Sequence, residues 1–334
     1  MMTMLRTGVL ATGLLLAVSV FSAPVQAQGA AIQPGVCPAP TGRPAFGATN
    51  KTPRKRVLAW ADSRNGKAQH EYVSWALAQL QRMGRESGLY DVIIRTDSDI
   101  ISFNPTMTDG KTPASGGPNL CNSDAILFAN HRTAAINEQQ KKDLIAAIHD
   151  RGVGLVGLFI GILPADNFPE MVDILGANAA TVDVHDPWTG GSTLVNESPD
   201  SPFTRHLPKV WVEPNGAVYQ PVDYSRGDIQ VLLRKDLSKL PANDKYTRTD
   251  GDYPAAWIKM YGKGRVFYSS LGNSEPLWDN KDLLRMYDEA IKWSLGLTDY
   301  AVRPHPLPAG VAGPQGPVPP APAPRGGRPG AGAP

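Results

Sequence analysis

The chain has 334 residues, 42% hydrophobic and 19% charged, which is enough apolar material for one large or two modest domains and too much for disorder along most of the length. Lys and Arg number 33 against 31 Asp and Glu, a net charge of +2, so no excess of either sign points to nucleic acid or an anionic membrane surface. Only two cysteines are present, which excludes a small disulfide scaffold.

Arg6 belongs to a short basic start, Val9 to Phe21 is apolar, and Val25-Gln26-Ala27 has the small-residue pattern of a signal-peptidase site. Residues 1–27 therefore read as a removed signal peptide. That predicts an exported protein, periplasmic or extracellular, with no membrane span after cleavage; an uncleaved N-terminal anchor is the competing reading. Residues 28–54 form a Pro/Gly/Ala-rich lead-in. In an oxidising compartment Cys37 and Cys121 can form a disulfide, and two free loop thiols are the other reading. They have no C-x-x-C spacing for zinc.

The folded unit spans residues 55–298. A first apolar run, Arg56 to Ala61, is followed by Val73, Ala76, Leu77, Leu80 and Met83 at helical spacing, with Gly88 as a stop. Asp91 to Arg95 and Ala125 to Ala129 make a second and third strand. Asn137 then caps a helix with Gln140 in the capping-box position; Leu144, Ile145 and Ile148 form its buried face, and Gly152 ends it. Gly154 to Ile160 is an unbroken apolar strand, suited to the centre of a sheet covered on both faces. This β-α-β order predicts an α/β fold with a doubly wound, flavodoxin-like, mostly parallel sheet.

Short β-like pieces at Thr181 to Val184, Val210 to Val212 and Val218 to Val222 read as a small β-rich insertion, after which Ile229 to Leu233 returns to the sheet. Ala255 to Tyr261 and Arg265 to Ser270 form a C-terminal hairpin around Gly262-Lys263-Gly264, and Asn280 to Leu295 a last helix. Residues 299–334 are the expected disordered, Pro/Gly-rich tail: the stretch from Pro304 to Pro334 holds 11 Pro and 7 Gly among 31 residues.

Several of these pieces carry a resemblance. The Arg56-Val57-Leu58 strand with His70 downstream, the Asp124 to Asn130 strand, the Gly152 to Gly161 segment and Ser201-Pro202-Phe203-Thr204 all contribute to it. Most specific is Trp257 with Tyr261-Gly262-Lys263-Gly264-Arg265-Val266-Phe267-Tyr268 and Leu271-Gly272. Together they resemble the ThuA-like trehalose-utilisation family over nearly the whole folded unit. The resemblance implies a class I glutamine amidotransferase-like fold and a role in the metabolism of disaccharides and their keto derivatives; many members are exported.

Departures from the family pattern bear on mechanism. Gly157-Leu158-Phe159-Ile160-Gly161 has the outline of a nucleophile elbow, but the central residue is Phe159, which is neither nucleophile nor base. Cysteine or serine chemistry through the elbow is thereby excluded, and the His usual to the family at that slot is missing. Ser201-Pro202 and Tyr253-Pro254 stand where the family has His-Pro. Asn273 closes Leu271-Gly272 in place of His, and Gly216-Ala217-Val218-Tyr219 replaces Asp-Glu-x-Tyr.

Ligands of such sheets bind beyond the carboxyl strand ends. The candidate catalytic residues there are Asp62, His131 and Glu275; the candidate substrate-binding residues are Arg64, His70, Asn130, Phe159, His185, Trp188 and Asn273, with Trp188 as an apolar platform for a sugar face. No G-x-G-x-x-G follows the first strand and no Walker sequence occurs, so no cofactor and no metal site is expected. His149, His206, Trp257 and Trp293 read as structural.

Two classes of function follow. In one, an exported ThuA-like protein binds or processes a small carbohydrate or keto-sugar, with hydrolase or isomerase chemistry by the remaining polar groups. In the other, the fold is a catalytically degenerate binding module, or an interaction module whose Pro-rich tail meets a protein partner.

Overall fold

The structure is a computed structural model that describes residues 37, 54–62, 70–107, 109–114, 117–129, 136–159, 168–179, 192–213, 220–239 and 248–313. Its first half alternates β1 (Lys55–Trp60), α1 (Tyr72–Ser87), β2 (Tyr90–Arg95), β3 (Ala125–Phe128), α2 (Glu138–His149) and β4 (Gly154–Leu158). Each element falls where apolar periodicity places it, within one or two residues at most ends. Asn137 caps α2 as expected: its side chain accepts from the Gln140 amide at 2.9 Å, and Gln140 Oε1 accepts from the Asn137 amide at 3.0 Å.

The second half comprises α3 (Glu170–Leu175), β5 (Asn178–Ala179), β6 (Ser192–Asn196), β7 (Val210–Glu213), β8 (Pro221–Val222), β9 (Gln230–Lys235), β10 (Pro254–Tyr261), β11 (Gly264–Ser269) and α4 (Lys281–Ser294). One nine-stranded sheet has the order β2-β1-β3-β4-β11-β10-β9-β6-β7, and β5 pairs with β8 in a separate ribbon. The first five strands are mutually parallel in the flavodoxin-like order. β10 and β6 run the other way.

Two strands of the expected insertion are therefore integral to the main sheet, since β6 pairs with β9 and carries β7 at the edge. Their short runs look like an excursion in sequence because the pairing that recruits them is non-local. Thr181 to Val184, also expected as a strand, lies outside the described residues.

Side-chain alternation on β1 divides the core into two layers. Val57 and Ala59 join α1 and α4 on one face, while Leu58 and Trp60 join α2 and α3 on the other. Trp257 and Trp293 are buried core aromatics, as the sequence suggested. The β10–β11 turn places Gly262 at φ +56°, where a Cβ would come within 2.4 Å of the His149 carbonyl oxygen. Gly262-Lys263-Gly264 is thus a hairpin turn shaped by close packing on α2, not a phosphate loop.

Two connections hold Cys37 and residues 299–313 to this body. Cys37 and Cys121 are joined by a disulfide, with their Cα atoms 5.5 Å apart. Residues 299–313, placed by composition in the Pro/Gly-rich tail, instead run as an extended segment held to the body. Trp293 Nε1 donates to the Tyr300 carbonyl at 2.9 Å, the Arg303 amide donates to Gln230 Oε1 at 2.7 Å, and His305 Nε2 lies 3.1 Å from the Val231 carbonyl oxygen. Composition does not register such single-residue anchors. The remainder of the tail, 314–334, lies outside the described residues, as do residues 1–27.

Candidate functional site

The carboxyl ends of β1, β3, β4, β11, β9 and β7 share one edge of the sheet with the starts of β10 and β6. Of the candidate site residues, Asp62, His70, Phe159, Asn273 and Glu275 are described. Arg64, Asn130, His131, His185 and Trp188 lie outside the described residues.

Asp62 sits two residues past β1 and is fully buried, its carboxylate accepting a hydrogen bond from Ser98 Oγ. Ser98, just beyond β2, also accepts from Trp60 Nε1 at 2.9 Å. The carboxylate is therefore braced by a hydroxyl on the neighbouring strand end. His70 precedes α1 and is half-buried, with its ring 6.0 Å from Phe159 and 5.8 Å from Tyr72.

Phe159 keeps the backbone of an elbow and abandons its chemistry. Its φ is +33°, a left-handed value for a bulky residue at the end of a central parallel strand, and its carbonyl accepts from Tyr268 Oη. The ring is fully buried, meeting Tyr72 edge-on at 5.4 Å between centroids. The sharp turn that would expose a nucleophile here tucks a phenyl group into the aromatic core.

Beyond β11 the chain forms a rigid ledge. The Ser270 amide donates to Ala255 O at 2.8 Å, Tyr287 Oη to Leu271 O at 2.9 Å and Trp278 Nε1 to Gly272 O at 2.9 Å. Gly272 has φ +95°, and a Cβ there would come within 2.9–3.1 Å of the Trp278 ring, so only glycine fits. The ledge ends in Asn273 Oδ1 and Ser274 Oγ, which are buried and have no hydrogen-bond partner among the described residues. Glu275, at the start of the 3-10 turn Glu275–Asp279, is exposed.

Three strand spacings, about 14 Å, separate β1 from β11. Glu275, however, lies six residues past β11 on a turn whose Asp279 accepts from Trp75 Nε1 and Gln79 Nε2 of α1, and no hydrogen bond joins Glu275 to Asp62 among the described residues.

A buried ionic group on the same edge has no local signature in the apolar pattern of the sequence. Lys235, the last residue of β9, donates from Nζ to Glu213 Oε2 at 2.8 Å and to Ser192 Oγ. All three side chains are essentially inaccessible. Glu213 Oε1 also accepts from the Gly272 amide at 3.4 Å, linking the group to the ledge. Burial foremost, with the Glu213 charge adding to it and a Ser269 hydrogen bond offsetting part, pushes the Tyr287 phenol up. The sequence signal lay in a charged residue ending an apolar strand and in the acid at Glu213-Pro214, but its partners come from strands far apart in the chain.

At the opposite edge a cavity of about 520 Å³ is lined by Lys55, Asp124, Arg151, Lys263 and Arg265 among others. The carboxyl termini of α2 and α4 face that edge, and cations there complement helix dipoles. Lys55 pairs with Asp124, and Arg265 donates to the Trp293 and Thr298 carbonyls. Its residues have structural work, so the carboxyl edge remains the candidate site. Among the described residues no three His, Cys, Asp or Glu side chains are grouped to hold a metal, and no helix is long and apolar enough to cross a membrane.

Comparison with known proteins places this geometry. No curated protein matches the chain. A protein described as ThuA-like from Bacteroides uniformis is 19% identical, with a TM-score of 0.56 over 76% of this chain and 95% of its own. A second, from Parabacteroides merdae, is 13% identical with a TM-score of 0.52, covering 79% and 96%. At such identities the likeness establishes the fold. The family model described as ThuA, trehalose utilisation, matches residues 56–294, almost the entire α/β unit. The chain belongs to the ThuA trehalose-utilisation family.

Proposed function

We propose that this is an exported carbohydrate-binding protein that takes a neutral sugar or keto-sugar at the carboxyl edge of the sheet and performs no nucleophile-elbow chemistry there. Family membership suggests a carbohydrate-related role. The observation that carries the proposal is the pairing of two facts at neighbouring strand ends. The elbow slot is filled by the buried ring of Phe159, and the adjoining ledge leaves Asn273 Oδ1 and Ser274 Oγ buried without partners among the described residues. A buried acceptor left unmatched costs about 1–3 kcal/mol; Asn273 and Ser274 are half-buried as residues, so a ligand hydroxyl reaching the ledge is the kind of donor that relieves it. The Cys37–Cys121 bridge supports export, because structural disulfides persist in oxidising compartments.

The test is a thermal-shift screen of the chain beginning at Gln28 against mono- and disaccharides and their 3-keto derivatives, followed by turnover assays on any ligand found. A native-state ligand raises the melting temperature by mass action. The proposal expects a shift with one sugar class, lost in Asn273→Ala, and no turnover dependent on residue 159. A flat screen sinks the binding reading and favours the interaction module; hydrolysis that Phe159→Ala alters more than tenfold sinks the inert elbow.

A further inference from the structure

We infer that Glu213 is a positioning residue for the binding ledge, held in place by Lys235 and Ser192 and gripping the Gly272 amide so that Asn273 and Ser274 keep one orientation. The inference rests on the sugar-binding reading of that ledge and goes beyond it by assigning a role to the buried ionic group.

A buried ion pair is weak evidence of stability, since apolar residues of similar volume often serve as well. Glu213 and Lys235 are each 1% exposed at the side chain, deep enough for that argument to apply. What distinguishes this pair is where the second carboxylate oxygen goes. Oε2 takes Lys235 Nζ and Ser192 Oγ, leaving Oε1 for the amide of Gly272, one residue before the two unpartnered polar side chains. Among the described residues, the groups facing Glu213 are Lys235, Ser192, the Gly272 amide and, through its charge, the Tyr287 phenol.

The other holds on the ledge, the Ser270 amide to Ala255 O, the Leu271 amide to Ser269 Oγ, and Tyr287 and Trp278 to the Leu271 and Gly272 carbonyls, leave the Gly272 amide to Glu213. Tyr287 and Trp278 hold carbonyl oxygens and make no bond to the N–H of the Leu271–Gly272 peptide. Glu213 Oε1 supplies the acceptor on the N–H side. Because binding groups must be held within about 0.5 Å of their working geometry, losing this one bond should be read in affinity.

The experiment compares two double variants in the chain beginning at Gln28. Glu213→Leu/Lys235→Met removes both charges and the acceptor. Glu213→Gln/Lys235→Met removes both charges and keeps an acceptor for Gly272. Hydrogen–deuterium exchange of the Gly272 amide is followed by NMR for each, with titrations of trehalose and glucose. The Leu variant is expected to exchange at least tenfold faster at Gly272 and to bind at least tenfold more weakly, and the Gln variant to stay within threefold of wild type in both.

If the two doubles behave alike, Glu213 is a packing residue and the inference is overturned. Should the wild type bind neither sugar, the sugar-binding reading falls, and exchange alone decides the positioning role. Should the Leu variant not fold, Glu213→Ala/Lys235→Met, with no added bulk, replaces it.

Discussion

Phe159 combines a costly backbone with a stabilising side chain. A left-handed conformation in a bulky residue costs on the order of 1–3 kcal/mol, and it persists because β4, Tyr268 and the aromatic pair His70–Tyr72 over-determine it. Truncating a fully buried phenyl costs about 3–5 kcal/mol. Phe159→Ala should therefore lose roughly that much in urea denaturation; a loss under about 1 kcal/mol would show that the ring is not the plug described. Tyrosines titrate in the opposite sense to most stabilising acids. Tyr90, buried and donating to Asp288, and Tyr287, buried beside Glu213, both have phenols raised above the ordinary value near 10. The unfolded chain then releases these protons first, so their contribution is complete below pH 10 and drains away as pH rises beyond it. Melting temperature should fall above pH 10, and less steeply in Tyr90→Phe, as calorimetry across pH 9–11 would reveal.

At the scale of elements, α2 shows the clearest descent from sequence to structure. Its capping box satisfies two orphan amides, so Asn137→Ala should cost about 1 kcal/mol, while Asn137→Ser should cost only a fraction of that in the same denaturation assay. The same helix, β1, β2, β3, β4, the β10–β11 hairpin and α4 are legible because each announces itself within some fifteen residues of chain. The edge strands β6 and β7 are not, since they exist through pairing with β9 across distant sequence. The candidate site was legible in the same uneven way. Phe159 and Asn273 stand within the motifs that mark the strand ends in sequence, whereas Lys235 lies two residues past the apolar run Ile229 to Leu233 that marks β9. Arg234 and Lys235, adjacent on that strand, point to opposite faces and find separate carboxylates, Glu197 at 2.6 Å and Glu213 at 2.8 Å. No periodic pattern of apolar residues encodes such partners.

For the whole molecule, a disulfide spanning 84 residues ties the Pro/Gly/Ala-rich lead-in to the loop before β3. Closing a loop of that length removes unfolded-state entropy equivalent to about 4–5 kcal/mol at most. Cys37→Ser/Cys121→Ser should therefore unfold at lower urea, by roughly 2–4 kcal/mol, with sugar binding retained; an unchanged midpoint would mean that the bridge does not constrain the folded body. The extended segment 299–313 adds a second restraint through Tyr300, Arg303 and His305. The same segment runs on until residues 311–313 pack against Thr249 and Gly251, just before β10 at the carboxyl edge.

The most direct measurement of the proposed function is isothermal titration of trehalose and glucose into the chain beginning at Gln28 and into its Asn273→Ala variant at neutral pH. The account predicts saturable binding of at least one of the two by the wild type, weakened tenfold or more when Asn273 Oδ1 is removed, with no hydrolysis during the titration. Saturable binding that Asn273→Ala leaves unchanged, or no binding of either sugar, would contradict a sugar site on this ledge.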